Sequence, residues 1–139
     1  MRRRVRPMTF ATLLVLVGSA LGGMARHFLS NAVARRIGET FPWGTLLVNV
    51  SGCLVIGALA AFTAADGGIA GQLGAREFLA VGFCGGYTTF SSFSLQTLNL
   101  VRDGEWRRAG LNIVGSVAIC LAAAWCGFEL AVILSEKMT

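Results

Sequence analysis

Charge is what this chain has least of. Only 14% of its 139 residues are Asp, Glu, Lys or Arg, against about 25% in ordinary soluble domains. The deficit is concentrated: Pro7–Ala25, Pro42–Ala65, Phe78–Val101 and Ala109–Phe128 carry no charged residue at all. A helix needs about 20 mostly apolar residues to cross a bilayer core. These runs lack the polar face a soluble bundle requires, and little chain is left over for a soluble domain. Histidine is scarcer still, with His27 alone, and no paired carboxylates or nucleophile–base pair share a span. Acid–base and metal-assisted catalysis need such groups together, so the chain does not read as an enzyme. The cysteines, Cys53, Cys84, Cys120 and Cys126, fall inside predicted helices. None has CxxC spacing or a histidine pair nearby, so they read as small buried hydrophobes rather than disulfides or metal ligands.

A carboxylate in mid-span is missing too, since Glu77 and Glu129 lie near helix ends. Proton- and cation-coupled transporters usually bury one as an obligatory site. That weighs against a small multidrug exporter, the main alternative, which substrate-dependent proton movement would favour. A structural subunit with no transport of its own is a third reading. The net charge of +5 does not point to nucleic acid, because the arginines sit at helix ends. Nor do they orient the chain. Threaded four times, it places Arg2, Arg3, Arg4, Arg6, Arg76 and Lys137 on one side and Arg26, Arg35, Arg36, Arg102, Arg107 and Arg108 on the other. Orientation follows Lys/Arg asymmetry between loops. With six against six, the expectation is insertion both ways up and pairing as an antiparallel dimer.

What is present is an all-α membrane protein, a single four-helix unit over residues 1–139. The basic N-terminus followed by an apolar run imitates a secretory signal peptide, but that run is long enough to be a span itself. Helix one is expected from about Thr9 to Ala34, with Gly18 and Gly22 at a spacing that lets helices approach closely. Pro42 suits the first turn of helix two; Trp43 and Trp106 suit the headgroup level. Thr45 and Asn49 share one face of helix two, and Asn112, Ser116 and Cys120 share one of helix four, expected to run to about Leu134. Asp66-Gly-Gly-Ile-Ala-Gly71 reads as a flexible loop.

Helix three begins near Arg76 and carries, mid-membrane, Gly82-Phe-Cys-Gly-Gly-Tyr-Thr-Thr-Phe-Ser-Ser-Phe93. Lipid cannot satisfy backbone groups freed by a glycine break, so such a segment is buried in protein or lines a cavity. Carbonyls freed at Gly85–Thr88 are the usual ligands of a buried alkali cation. Neutral hydroxyls and amides (Asn49, Thr88, Thr89, Ser91, Ser92, Asn112, Ser116) donate to an anion without trapping it. The positive edges of Phe90 and Phe93 do likewise. Against this stands the plainer possibility that the rings only pack and the hydroxyls bond back to i−4 carbonyls.

Pro42-Trp-Gly-Thr-Leu-Leu-Val-Asn-Val-Ser-Gly52 and Gly82–Phe93 closely resemble the two signature segments of the Fluc (CrcB-type) fluoride channels. Gly22-Gly-Met-Ala-Arg-His27 is similar to that family's first-helix motif. The resemblance covers nearly the whole chain. It implies a multi-pass bacterial inner-membrane channel, a dual-topology antiparallel homodimer with two pores that exports fluoride passively and relieves its toxicity. It implies a pore lined by Asn49, Phe90, Phe93, Thr89 and Ser116, with Arg26 in the vestibule; the polar stripe of helix four adds Asn112 to the expected lining. It also implies a structural Na+ at the dimer interface, held by backbone carbonyls of Gly85 and Thr88. Two positions depart from the pattern: Asn112 stands where helix four often has tyrosine, and Gln96 where an acidic residue can follow the Phe-Ser-Ser-Phe segment.

Overall fold

A computed structural model describes residues 8–38, 40–64 and 74–138. The arginine-rich start and the Asp66–Gly71 loop lie outside the described residues. Five helical segments follow one another: α1 (Met8–Ile37), α2 (Trp43–Ala64), α3 (Arg76–Cys84 wound as a π-helix, then one turn Gly85–Tyr87), α4 (Phe90–Arg102) and α5 (Trp106–Met138). Among the described residues, three helices are long and apolar enough to cross a membrane: α1, α2 and α5. The chain is therefore a multi-pass membrane protein. The fourth span expected from the sequence is divided between α3 and α4, neither long enough to cross alone.

Glycine sets how closely the helices approach. A Cβ on Gly18 would meet the carbonyl oxygen of Phe78, and one on Gly22 that of Phe83. The Gly18/Gly22 spacing is thus the seam along which α1 lies on α3. There the Ser19 hydroxyl donates at 3.3 Å to the Gly82 carbonyl, which also accepts the Gly85 amide. A similarly extensive contact joins α2 and α5, where Gly57 lies on Ala124 and Gly127 on Leu54. Backbone approach of this kind is how helices associate where lipid offers no hydrophobic driving force.

The connections on one side are tight. Gly38 (φ 88°) receives the chain at the end of α1 and donates to Ala34. Between α4 and α5, Gly104 (φ 78°) donates to Val101 at 3.1 Å, and Glu105 donates to Leu100 at 2.8 Å. That paired pattern is a Schellman stop. It returns the chain at once into α5 and holds α4 against it.

Candidate functional site at the helix break

The break falls at Thr88 and Thr89, at the far edge of the Gly85–Thr88 stretch that the sequence suggests. Gly85, Gly86 and Tyr87 remain helical; Thr88 (ψ 158°) and Thr89 (φ −151°, ψ 121°) are extended. The glycines are there for another reason, since a Cβ on Gly86 would collide with the Ser19 carbonyl of α1.

Asn49 holds the break open. Its Nδ2 donates to the Thr89 carbonyl at 3.0 Å, and its Oδ1 accepts the Thr89 amide at 2.8 Å. One side chain of α2 thereby satisfies both backbone groups of a residue that belongs to neither flanking helix. Thr89 in turn caps α4: its Oγ1 accepts the Ser92 amide at 3.2 Å and donates to the Ser92 hydroxyl at 3.1 Å, the usual task of an N-cap threonine. These bonds have a consequence for the carbonyls. The Thr89 and Ser92 amides would have paired with Gly85 and Thr88 in an unbroken helix, but both are engaged by side chains. The carbonyls implied as sodium ligands have thus lost their helical amide partners. Hard, neutral oxygens of this kind suit an alkali cation, and a Cβ built at Gly85 would meet nothing within 4 Å. Among the described residues no group of three or more His, Cys, Asp or Glu could hold a metal.

Beside the break lies a cavity of about 290 Å³. Asn49, Thr88, Thr89, Phe90, Phe93 and Ser116 all line it. It therefore gathers five of the six residues expected to line the pore. The sixth, Asn112, does not line it but stands directly behind. It is 2% exposed, accepts from Ser116 Oγ at 3.3 Å and donates to Thr97 Oγ1 at 2.8 Å. The Phe90 and Phe93 rings are 5.7 Å apart and inclined at 43°, and Phe90 is 79% exposed. This protomer therefore closes only part of the cavity wall. Arg26 lines neither this cavity nor the larger one below. It is half-buried on α1, one turn beyond Gly22, which packs at the level of Phe83 and Tyr87.

A larger cavity, about 600 Å³, opens where α1 and α4 end and α2 and α5 begin. Ser30, Asn31, Thr45, Gln96, Asn99 and Asp103 are among its walls. The Gln96 Oε1 is buried without a hydrogen-bond partner among the described residues. Gln96 follows one turn after Phe93 on α4 and adjoins Thr97. Polar side chains thus continue from the break, through Ser116, Asn112 and Thr97, to a cavity polar and roomy enough for water.

The plainer reading of the hydroxyls holds in part. Thr88 Oγ1 donates back to Cys84 at 2.9 Å and Thr97 Oγ1 to Phe93 at 2.7 Å. Ser51 reaches the Tyr87 hydroxyl at 2.8 Å. The sequence reading missed Asn49 as a clamp and Thr97 as a link. Thr89-Phe-Ser-Ser92 does carry an N-cap threonine, a signal that could have located the break.

Residues 13–128 match the family described as CrcB-like protein, Camphor Resistance (CrcB). The chain belongs to the CrcB family. As a CrcB chain it is 52% identical to the fluoride-specific ion channel FluC of Paramagnetospirillum magneticum over 129 residues, covering 93% of this chain and 99% of that protein. It is 54% identical to the FluC channel of Opitutus terrae over 124 residues, 89% of this chain and 94% of that protein. These relatives of the CrcB chain are named as ion channels, in agreement with the expectation that it is not an enzyme.

Proposed function

We propose that this chain is a fluoride-selective channel of the bacterial inner membrane, through which cytoplasmic fluoride leaves by passive electrodiffusion. The observation that carries this reading is the uncharged cavity at the break, where Asn49, Thr89, Phe90, Phe93 and Ser116 converge. The relatives' naming as fluoride-specific channels supports it. Fluoride is small and strongly hydrated, so losing water is its barrier. Hydroxyl and amide donors, with phenyl edges, replace that water in steps. No fixed charge in the cavity wall holds the ion too tightly to leave. The N-terminus of α4 begins at the same place, and its dipole favours an anion there.

The functional unit is an antiparallel homodimer of four-span protomers. A second copy would cover the outward Phe90 ring and complete the wall that one protomer leaves open. Arg26 stands in the vestibule on one approach, and Asn112, Thr97 and Gln96 lead away on the other. Carbonyls of Gly85 and Thr88 from the two copies would hold a structural Na+ at the interface. Bound there, the ion supplies a fixed positive charge that pins the two breaks together.

Anion efflux from liposomes containing the purified protein, under a potassium–valinomycin clamp, tests the reading. Rapid fluoride release with chloride retained is the expected result. No fluoride flux from folded, dimeric protein would overturn it.

A further inference from the structure

Two of the cysteines that look unrelated in sequence meet in space. Cys53 stands on α2 one turn before Gly57, and Cys120 stands on α5 one turn before Ala124, the residue on which Gly57 packs. This in-register approach of two helices brings the two cysteines side by side on one cavity wall. Both residues line the 290 Å³ cavity with Phe90 and Phe93, so the pair has open space on one side. The other cysteines are elsewhere: Cys84 is buried in α3, and Cys126 is exposed further along α5.

We propose that Cys53 and Cys120 form a dithiol site for thiophilic trivalent arsenic, and that loading it obstructs the cavity. Two thiols on neighbouring helices at one cavity wall can both bond to one arsenic atom, whose two bonds stand at close to a right angle. The absence of a third ligand among the described residues removes the closed tetrahedral set that zinc requires. Soft thiolate chemistry remains. Charge points the same way. Phenylarsine oxide reacts with two thiols so that both S–H bonds break, two As–S bonds form, and the arsenic-bound oxygen leaves as water with the two protons. Arsenic stays trivalent, no electrons are transferred, and the product is neutral. A neutral adduct avoids the desolvation cost that an ion meets at membrane depth.

The test uses full-length protein in detergent, phenylarsine oxide as the probe and intact mass as the readout. The expected result is one phenylarsenic per chain that survives excess 2-mercaptoethanol and is released by 2,3-dimercaptopropanol. Cys53→Ser and Cys120→Ser lose this adduct, and Cys126→Ser keeps it. Cys53→Ala and Cys120→Ala give the same comparison without a new hydroxyl, each checked for its elution position. A monothiol-resistant adduct in either single variant, or none on folded wild-type protein, overturns the site. The mass measurement is independent of transport. The obstruction rests on the channel reading, and in liposomes shown to release fluoride, labelling is expected to abolish release from wild type and to leave Cys53→Ser at its own unlabelled rate, whatever that rate is. Undiminished release from fully labelled wild type would overturn the placement of the pair on the path.

Discussion

At the scale of single residues, Asn49 and the Phe90–Phe93 pair separate structural from conductive roles. Asn49 offers one donor and one acceptor to the same Thr89. In Asn49→Asp the acceptor survives, but a carboxylate oxygen then faces the Thr89 carbonyl. Leaving that group unsatisfied costs ~1–3 kcal/mol, so thermal denaturation in detergent should come several degrees earlier, with fluoride efflux impaired. Normal stability and normal flux together would remove Asn49 from both roles. The rings behave differently, because Phe90 is mostly outside the protomer and contributes little to its packing. Phe90→Ile and Phe93→Ile keep apolar bulk and remove the positive ring edge. An aromatic edge worth ~0.5–1.5 kcal/mol corresponds to a roughly two- to tenfold loss of fluoride efflux, with the dimer peak on size exclusion unchanged. Equal flux in both variants would end the ring-edge mechanism.

At the scale of the helices, glycine serves close approach along α1 and α3 and a left-handed turn between α4 and α5. Gly22→Val places a branched side chain against the Phe83 carbonyl. Overpacking of that kind costs ~1–3 kcal/mol and should lower the melting temperature in detergent. Gly110→Val, where a Cβ meets nothing within 4 Å, should leave it unchanged. Equal melting temperatures would mean that α1 and α3 do not pack through Gly22. The same elements show how far the sequence could be read. Apolar length located α1, α2 and α5, because crossing a bilayer imposes a length on any chain. The break was foreseen in the third span but assigned to Gly85–Thr88, since glycine marks broken helices in general. Here Gly86 instead admits the Ser19 backbone of α1, and the interruption comes from Asn49, 40 residues away, taking the Thr89 backbone. No local pattern encodes a bond of that separation. The same limit hid the meeting of Cys53 and Cys120 at one cavity wall. Ser116 and Asn112 were readable because i, i+4 spacing already places them on one face.

At the scale of the whole molecule, orientation decides whether the proposed antiparallel pair can exist. The larger cavity gathers the ends of α1 and α4 with the starts of α2 and α5. These helix ends lie together, and the expected four-span threading divides Lys and Arg six against six. Nothing in that balance favours one orientation, so reporter fusions at Thr139 should register on both sides of the membrane. The balance is also fragile. Thr40→Lys with Glu105→Lys adds two cations to one side, and Ser135→Lys with Glu136→Lys adds two to the other. Each double variant should insert one way only and, expressed alone, lack the oppositely oriented copy needed to cover Phe90. Fluoride resistance of a sensitive host should then be lost with either variant and restored when the two are expressed together. Full resistance from one variant, with its fusion confined to a single side, would mean that parallel copies or lone protomers conduct. The antiparallel arrangement would fall, while the pathway through the break would stand.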